Sequence, residues 1–209
     1  MYTRHSVKNI NCDVCVVGGG LSGCFAAIEA ARNGVRVVLM QDRPVLGGNA
    51  SSEVRMWVRG ANGKFDRETG LISELEERNI YYNPTLCHSV FDATLYGMVE
   101  ENKNIELLMN TTCLDSESKN GKIVSVTGWQ LTTYTYYRVE AAIFIDCSGD
   151  SVLADMVVCP VRILGHPHFR ILTLMDDLVF TCYSVRISIT AALGSRHDSK
   201  GHDRVYDGN

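Results

Sequence analysis

The 209-residue chain has no apolar run long enough to cross a bilayer, so no membrane partner is expected. Its opening stretch, Met-Tyr-Thr-Arg-His-Ser-Val-Lys-Asn-Ile-Asn, lacks the apolar segment of a secretion signal, and a cytoplasmic location is the expectation. Basic charge is also scarce. Against 24 Asp and Glu stand 20 Lys and Arg, a net charge of −4. That leaves no basic stripe for a phosphate backbone and argues against nucleic acid as the main partner. The eight cysteines form no ligand cluster. Cys12 and Cys15 match C-x-x-C but enter a strand, where positions three apart face opposite ways; a redox pair needs a helix N-terminus. Cys24 and Cys147 read as small buried hydrophobes, and Cys87, Cys113, Cys159 and Cys182 are scattered, so all eight are expected as reduced thiols. His166-x-His168 has no carboxylate or cysteine at ligand spacing, and no metal is expected. With 45% apolar and 21% charged residues, the composition suits one or two globular domains.

What the chain does have is concentrated in residues 13–53. Val14, Cys15, Val16 and Val17 form the unbroken apolar run of a doubly buried strand. Gly18, Gly19 and Gly20 follow, then Leu21, Ser22 and Gly23, opening a helix of good formers to Arg32 with Gly34 at its C-terminal cap. Gly18, Gly20 and Gly23 fit G-x-G-x-x-G between a strand and a helix, the context in which the pattern binds a dinucleotide. The first glycine makes the tight turn, the second admits the pyrophosphate, and the third lets helix and sheet pack. The helix N-terminus supplies amides and a positive dipole end.

A second apolar strand, Val35–Met40, ends at the place where an acidic residue usually reads the ribose. Gln41 stands there, with Asp42 and Arg43 next. An amide can still bond a ribose hydroxyl, and Arg43 can stack on adenine or reach a phosphate; the alternative is a solvated loop.

The segment Gln41-Asp-Arg-Pro-Val-Leu-Gly-Gly-Asn-Ala-Ser-Ser-Glu53 resembles FAD-dependent oxidoreductases with the glutathione-reductase-like fold, particularly those related to fumarate reductase. That resemblance implies that Gly47 and Gly48 allow close approach to FAD, and that Asn49, Ser51 and Ser52 supply polar groups toward its flavin side. A second match, Ala142-Ile-Phe-Ile-Asp-Cys-Ser-Gly-Asp150, resembles the family's later strand ending in Ser-Gly-Asp. By resemblance Ser148, Gly149 and Asp150 lie against the cofactor, and the turn at Thr112 and Cys113 lies near adenine. The resemblance covers about residues 11–155. A plain NAD-dependent dehydrogenase is disfavoured by both later motifs.

The expected fold is α/β: a Rossmann-like FAD/NAD(P)-binding domain, with a parallel sheet, helices on both faces and a three-stranded β-meander. This FAD-binding domain occupies residues 1–155, with a small helical insertion at about 61–104. Leu71, Ile72 and Leu75 mark one helix ending near Asn79, and Ser89-Val-Phe-Asp92 has capping-box spacing for a second. Ile105–Asn110 reads as a further parallel strand. Ser118-Lys-Asn-Gly-Lys122 reads as a hairpin turn between Cys113–Glu117 and Ile123–Gln130, with another strand over Thr132–Val139. Residues 156–209 read as an atypical C-terminal segment beyond the resemblance, with a tail at 194–209 expected to be disordered, which suggests a truncated or frame-shifted member.

The expected function is flavin-mediated hydride transfer on a small molecule whose identity the sequence does not give. The alternative is a nucleotide-binding fragment without turnover. No catalytic residue declares itself: Glu53, Arg55 and Arg59 flank the second glycine loop, and His88 is a possible acid or base, but a solvated or structural role is the ordinary one for such residues.

Overall fold

The computed structural model describes residues 5–58, 68–156 and three short strands beyond them. In chain order the elements are β1 (Ser6–Asn11), β2 (Val14–Val17), α1 (Leu21–Arg32), β3 (Val37–Met40), a single 3-10 turn (Gly48–Ala50), α2 (Leu71–Tyr82) and α3 (His88–Glu100). Then come β4 (Ile105–Leu108), β5 (Thr111–Lys119), β6 (Lys122–Gln130), β7 (Thr135–Glu140), β8 (Ile143–Asp146), α4 (Val152–Met156), β9 (Leu164–His166), β10 (Phe169–Ile171) and β11 (Leu178–Phe180).

Two sheets carry the fold. The first has the order β11-β8-β2-β3-β4, parallel throughout. The second is the expected meander, β5-β6-β7, joined at its β7 edge by β1 in parallel. The hairpin turns at Asn120 and Gly121, both with positive φ (53° and 78°), as a two-residue type I′ turn requires.

Alternation along the central strands builds two cores. Val14, Val16, Val37 and Leu39 face one way, into a cluster with Phe25, Ile28, Leu75, Leu95 and Met98 of α1, α2 and α3. Cys15, Val17, Val38 and Met40 face the other way, against Val126, Tyr137 and Val139 of the meander and Leu153 of α4. Strands this short, apolar at every position, are explained by burial on both faces. The three long helices lie on one side of the parallel sheet, and the meander with α4 covers the other.

Several boundaries differ from the sequence reading. The second strand begins at Val37, because the Val35 N–H is given to the Ala30 carbonyl at the end of α1, next to the left-handed Gly34 (φ 84°). The Ser89 capping box does not form. The helix starts one residue earlier, at His88, Cys87 is its cap residue without a side-chain bond, and Asp92 is engaged elsewhere. The strand expected from Thr132 starts at Thr135, after a turn that puts Tyr134 at φ 53°. β1 is a strand that no sequence signal marked.

The cysteines near the first strands also sit differently from the expectation. The chain changes sheets between Asn11 and Val14, so the alternation of one continuous strand does not apply, and Cys12 and Cys15 both abut the meander-side core. Both are free thiols, as are Cys24, Cys87, Cys113 and Cys147; Cys159 and Cys182 lie outside the described residues. Of the His166-x-His168 pair, only the backbone of His166, ending β9, is described, and the tail at 194–209 lies outside the described residues.

Candidate functional site

Three loops meet at the carboxyl ends of β2, β3 and β8, where ligands bind in open α/β sheets. The first is the glycine turn. Gly18 has φ 103°, and a methyl group there would fall on the backbone of Cys147 and Ser148. A methyl on Gly23 would strike the Gly18 carbonyl, so the third glycine sets how near α1 comes to the turn. Gly20 is different. Its φ of −66° suits any residue, and no atom stands within 4 Å of where its Cβ would be. Two of these glycines are required by the protein's own packing, whereas Gly20 opens onto empty space. Gly20 is also the cap residue of the 12-residue α1, with no side-chain cap and no acidic residue in the first turn. The first amides of the helix are therefore left without a side-chain cap, the arrangement in which helix ends bind anions.

Gly19 and Gln41 take roles that the sequence reading did not give them. Gly19 is buried, and its N–H donates to Gln41 Oε1 at 2.7 Å while its carbonyl accepts from the Gly47 N–H at 2.8 Å and the Cys24 thiol at 3.3 Å. Both backbone groups point inward. The Gln41 side chain is only 4% exposed, and its Nε2 donates to the Val45 carbonyl at 2.9 Å. The Gln41 carboxamide is thus engaged by both loops. Asp42 and Arg43, the next two residues, are exposed.

The second loop, residues 45–53, is tied to the first. Gly47 (φ 105°) bridges to Gly20, and a methyl on Gly48 (φ 56°) would lie 3.3 Å from Gly20 Cα. Ser51 is buried; its hydroxyl donates to the Gly48 carbonyl at 2.6 Å and accepts the Glu53 N–H. It shapes the loop from within. The Ser52 N–H donates to the buried carboxylate of Asp92 at 2.9 Å. Asn49 and Gly48 remain at the surface of the crevice.

The third loop follows β8. Asp146, 3% exposed, accepts from the Ser148 N–H (3.0 Å), the Ser148 hydroxyl (2.6 Å) and the Leu153 N–H (2.8 Å). This residue, which sequence reasoning passed over in favour of Asp150, folds the turn and starts α4. Gly149 (φ 82°) and Asp150 are exposed beyond it. Cys113 is buried in the meander-side core, where burial pushes its thiol up to about 12, so only its backbone can approach a nucleotide.

Charge gathers at the rim. Arg43 pairs with Glu53 at 3.1 Å, which holds its guanidinium more firmly protonated; Asp42 and Asp150 add to this attraction from the same and the third loop. Arg55, in the left-handed region (φ 64°), donates to the Ser52 carbonyl. His88 stacks on Trp57 with ring centres 4.2 Å apart, and its buried Nδ1 has no partner among the described residues. Arg59 lies outside the described residues.

The arrangement fits a dinucleotide of the FAD type. An open glycine and an uncapped helix end lie between two further loops, each braced by buried side chains, as a long, doubly phosphorylated ligand requires.

Comparison with known proteins agrees. The glycerol-3-phosphate dehydrogenase of Mycobacterium leprae is 34% identical over 79 residues, covering 37% of this chain and 14% of that enzyme. The tRNA uridine 5-carboxymethylaminomethyl modification enzyme MnmG of Chlorobaculum tepidum is 29% identical over 133 residues, 55% of this chain and 21% of that one. The chain thus spans a small part of the length of the curated relatives it matches. Among solved structures, Thermovibrio ammonificans THI4 superposes with a TM-score of 0.52 at 20% identity, over 75% of this chain and 66% of that one. E. coli quinol fumarate reductase FrdA gives 0.53 at 14% identity, over 68% and 33%. Both likenesses show the fold. The model of the FAD dependent oxidoreductase family matches residues 13–185, continuing past Ala154, where the residue-by-residue resemblance had ended. The chain belongs to the family of FAD-dependent oxidoreductases.

Proposed function

We propose that this chain is the nucleotide-binding part of a flavin-dependent oxidoreductase acting on a small molecule, with FAD laid across the ends of β2, β3 and β8. The observation that carries this reading is the contrast among the glycines: Gly18 and Gly23 are packed against backbone, while Gly20 faces open space at an uncapped helix end. In this reading Gly18 and Gly20, with the amides of Leu21 and Ser22, hold the pyrophosphate. Asp42 and Arg43 stand at the adenosine end. Gly48, Asn49 and Ser52 line the path toward the flavin, and Ser148, Gly149 and Asp150 close the third side. Gly19, Gln41, Gly47 and Ser51 support these residues from below.

Bound FAD supplies hydride acceptance and donation. The protein's share is to bind, orient and tune it. Arg43 and Glu53 neutralise each other at the rim, where Asp42, Asp150 and Arg55 add further charge. No described side chain is placed as a proton donor or acceptor for a substrate. A second reading, a nucleotide-binding portion that does not turn over by itself, is supported by the 14% of the mycobacterial enzyme's length that is matched.

Gly20→Ala tests the pocket. Because φ is −66° and the surroundings are open, the variant should fold as well as the original chain, while the added methyl obstructs the pyrophosphate. Expected is an unchanged unfolding midpoint with FAD affinity reduced at least about tenfold, or ~1.4 kcal/mol. Unchanged FAD affinity would place the cofactor elsewhere.

A further inference from the structure

We infer that Gln41 is a positioning residue whose amide, and specifically an amide, locks the glycine turn to the second loop and so sets the spacing of the FAD pyrophosphate site. The inference rests on the FAD reading above.

Gln41 lies at the end of β3, 4% exposed, with its backbone fixed on both sides: its N–H donates to the Leu108 carbonyl at 2.9 Å, and its carbonyl accepts the Thr111 N–H at 2.8 Å. Its side chain adds a second tie between the glycine turn and the second loop, which otherwise meet in the single bridge of Gly20 and Gly47. Oε1 accepts from Gly19 at 2.7 Å, and Nε2 donates to Val45 at 2.9 Å. The partners leave no choice of orientation, since an N–H needs an acceptor and a carbonyl needs a donor. Gly19 then reaches Gly47 through its carbonyl at 2.8 Å, so three hydrogen bonds and the chain from Val45 to Gly47 close a ring. A methyl on Gly19 would stand 2.7 Å from Leu46 Cδ2 and 3.0 Å from Gln41 Cβ, so the ring is also tightly packed.

The general dinucleotide fingerprint has an acid at this place. An ionised carboxylate can accept from Gly19 but turns lone pairs toward the Val45 carbonyl. It would do so where burial disfavours its charge. A protonated carboxyl, with one donor and one acceptor, reproduces the amide. The nearby ionisable groups are already engaged or exposed. Asp42 is in solvent, Arg43 pairs with Glu53, Asp92 of α3 accepts from Ser52, and Asp146 at the end of β8 accepts from Ser148 and Leu153.

The test is Gln41→Glu, compared with Gln41→Ala and the original chain, each titrated with FAD and melted without FAD between pH 5 and pH 8. The folded-state carboxyl is raised above the unfolded value of about 4.3, so its protonated form is favoured in the folded protein and stability falls as pH rises. Expected for Gln41→Glu is near-original melting and FAD affinity at pH 5. At pH 8 the melting temperature should be lower and FAD binding at least about tenfold weaker. Gln41→Ala should be weakened equally at both pH values. A Gln41→Glu profile parallel to the original in both measurements would overturn the inference. The melting curves report the brace without cofactor, so failure of the original chain to bind FAD would count against the proposed function, while a pH-dependent melt of the variant would still support the brace.

Discussion

The carboxylate of Asp92 accepts the backbone N–H of Ser52 at 2.9 Å, joining α3 to the second glycine loop across 40 residues of sequence. A helix residue that a local pattern would assign to its own N-terminus instead fixes the loop along which the flavin end of the cofactor is proposed to lie. The bond is partly buried: Asp92 is 8% exposed and Ser52 is half-buried.

Removing that acceptor leaves a partly buried N–H unsatisfied. Asp92→Ala should lower unfolding free energy by about 1–3 kcal/mol, measured by urea titration. Asp92→Asn, which keeps one carbonyl oxygen, should lose less. Equal stability for all three proteins would show that the loop holds its shape without the bond.

Gly23→Ala should be among the most damaging single-methyl additions, because the methyl meets the backbone carbonyl of Gly18 rather than a flexible side chain. Overpacking of this kind costs about 1–3 kcal/mol, and α1 must move off the turn to relieve it. Gly34→Ala, with open space around it but φ at 84°, carries only the left-handed backbone penalty of about 1–2 kcal/mol. Circular dichroism melts of the two variants compare collision with strain. FAD affinity should fall for Gly23→Ala alone.

Glu74 sits between two arginines, bonding Arg32 of α1 at 2.8 Å and Arg78 of its own helix at 2.8 Å, while Arg78 also reaches Glu101 beyond α3 at 2.7 Å. The Arg32 hydrogen bonds lead in holding the Glu74 carboxyl below the usual carboxylate range. A depressed folded-state pKa contributes stability above the unfolded value of about 4.3 and loses it as pH falls through the folded one. These side chains are roughly a third exposed, so the contribution is under about 1 kcal/mol and weakens with salt. Glu74→Gln should therefore be slightly less stable than the original at pH 7 in low salt and indistinguishable from it in strong acid. A gap that persisted into strong acid would indicate a packing effect instead.

Thiol chemistry should sort the cysteines by place. Cys15 and Cys24 are fully buried, and burial raises both thiols; Cys12 is pushed up to about 11 and Cys113 to about 12. Cys87 is exposed at the start of α3. Iodoacetamide at pH 8 on the native protein, followed by peptide mass spectrometry, should label Cys87 well before those four. Early labelling of Cys24, whose thiol bonds the Gly19 carbonyl, would mean that the glycine turn opens in solution.

The sequence made the main chain of the site legible because the strands, glycines and hairpin are local patterns with local causes. Val14–Val17 and Asn120-Gly121 need no distant partner to be read. Gln41, Asp92 and Asp146 make bracing bonds that were not legible, for the opposite reason. Each is a buried polar side chain whose partner lies on another segment, and nothing in its neighbours tells whether it faces a ligand or a backbone amide. β1 escaped notice because Ser6–Asn11 is mostly exposed, and its pairing with β7 lies across nearly the whole described chain.

That pairing has a consequence for handling the protein. β1 covers the edge of the meander at β7, from Ser6 beside Thr135 to Asn11 beside Glu140. A version trimmed to begin at the glycine motif would keep every residue of the crevice yet bare a row of unpaired backbone groups on β7, an invitation for strands of other molecules to add on. The residues ahead of the cofactor motif therefore move the sheet edge from Thr135–Glu140 onto the more polar Ser6–Asn11, which carries Lys8, and a clear or cloudy solution of the trimmed chain would reveal their value before any flavin was added.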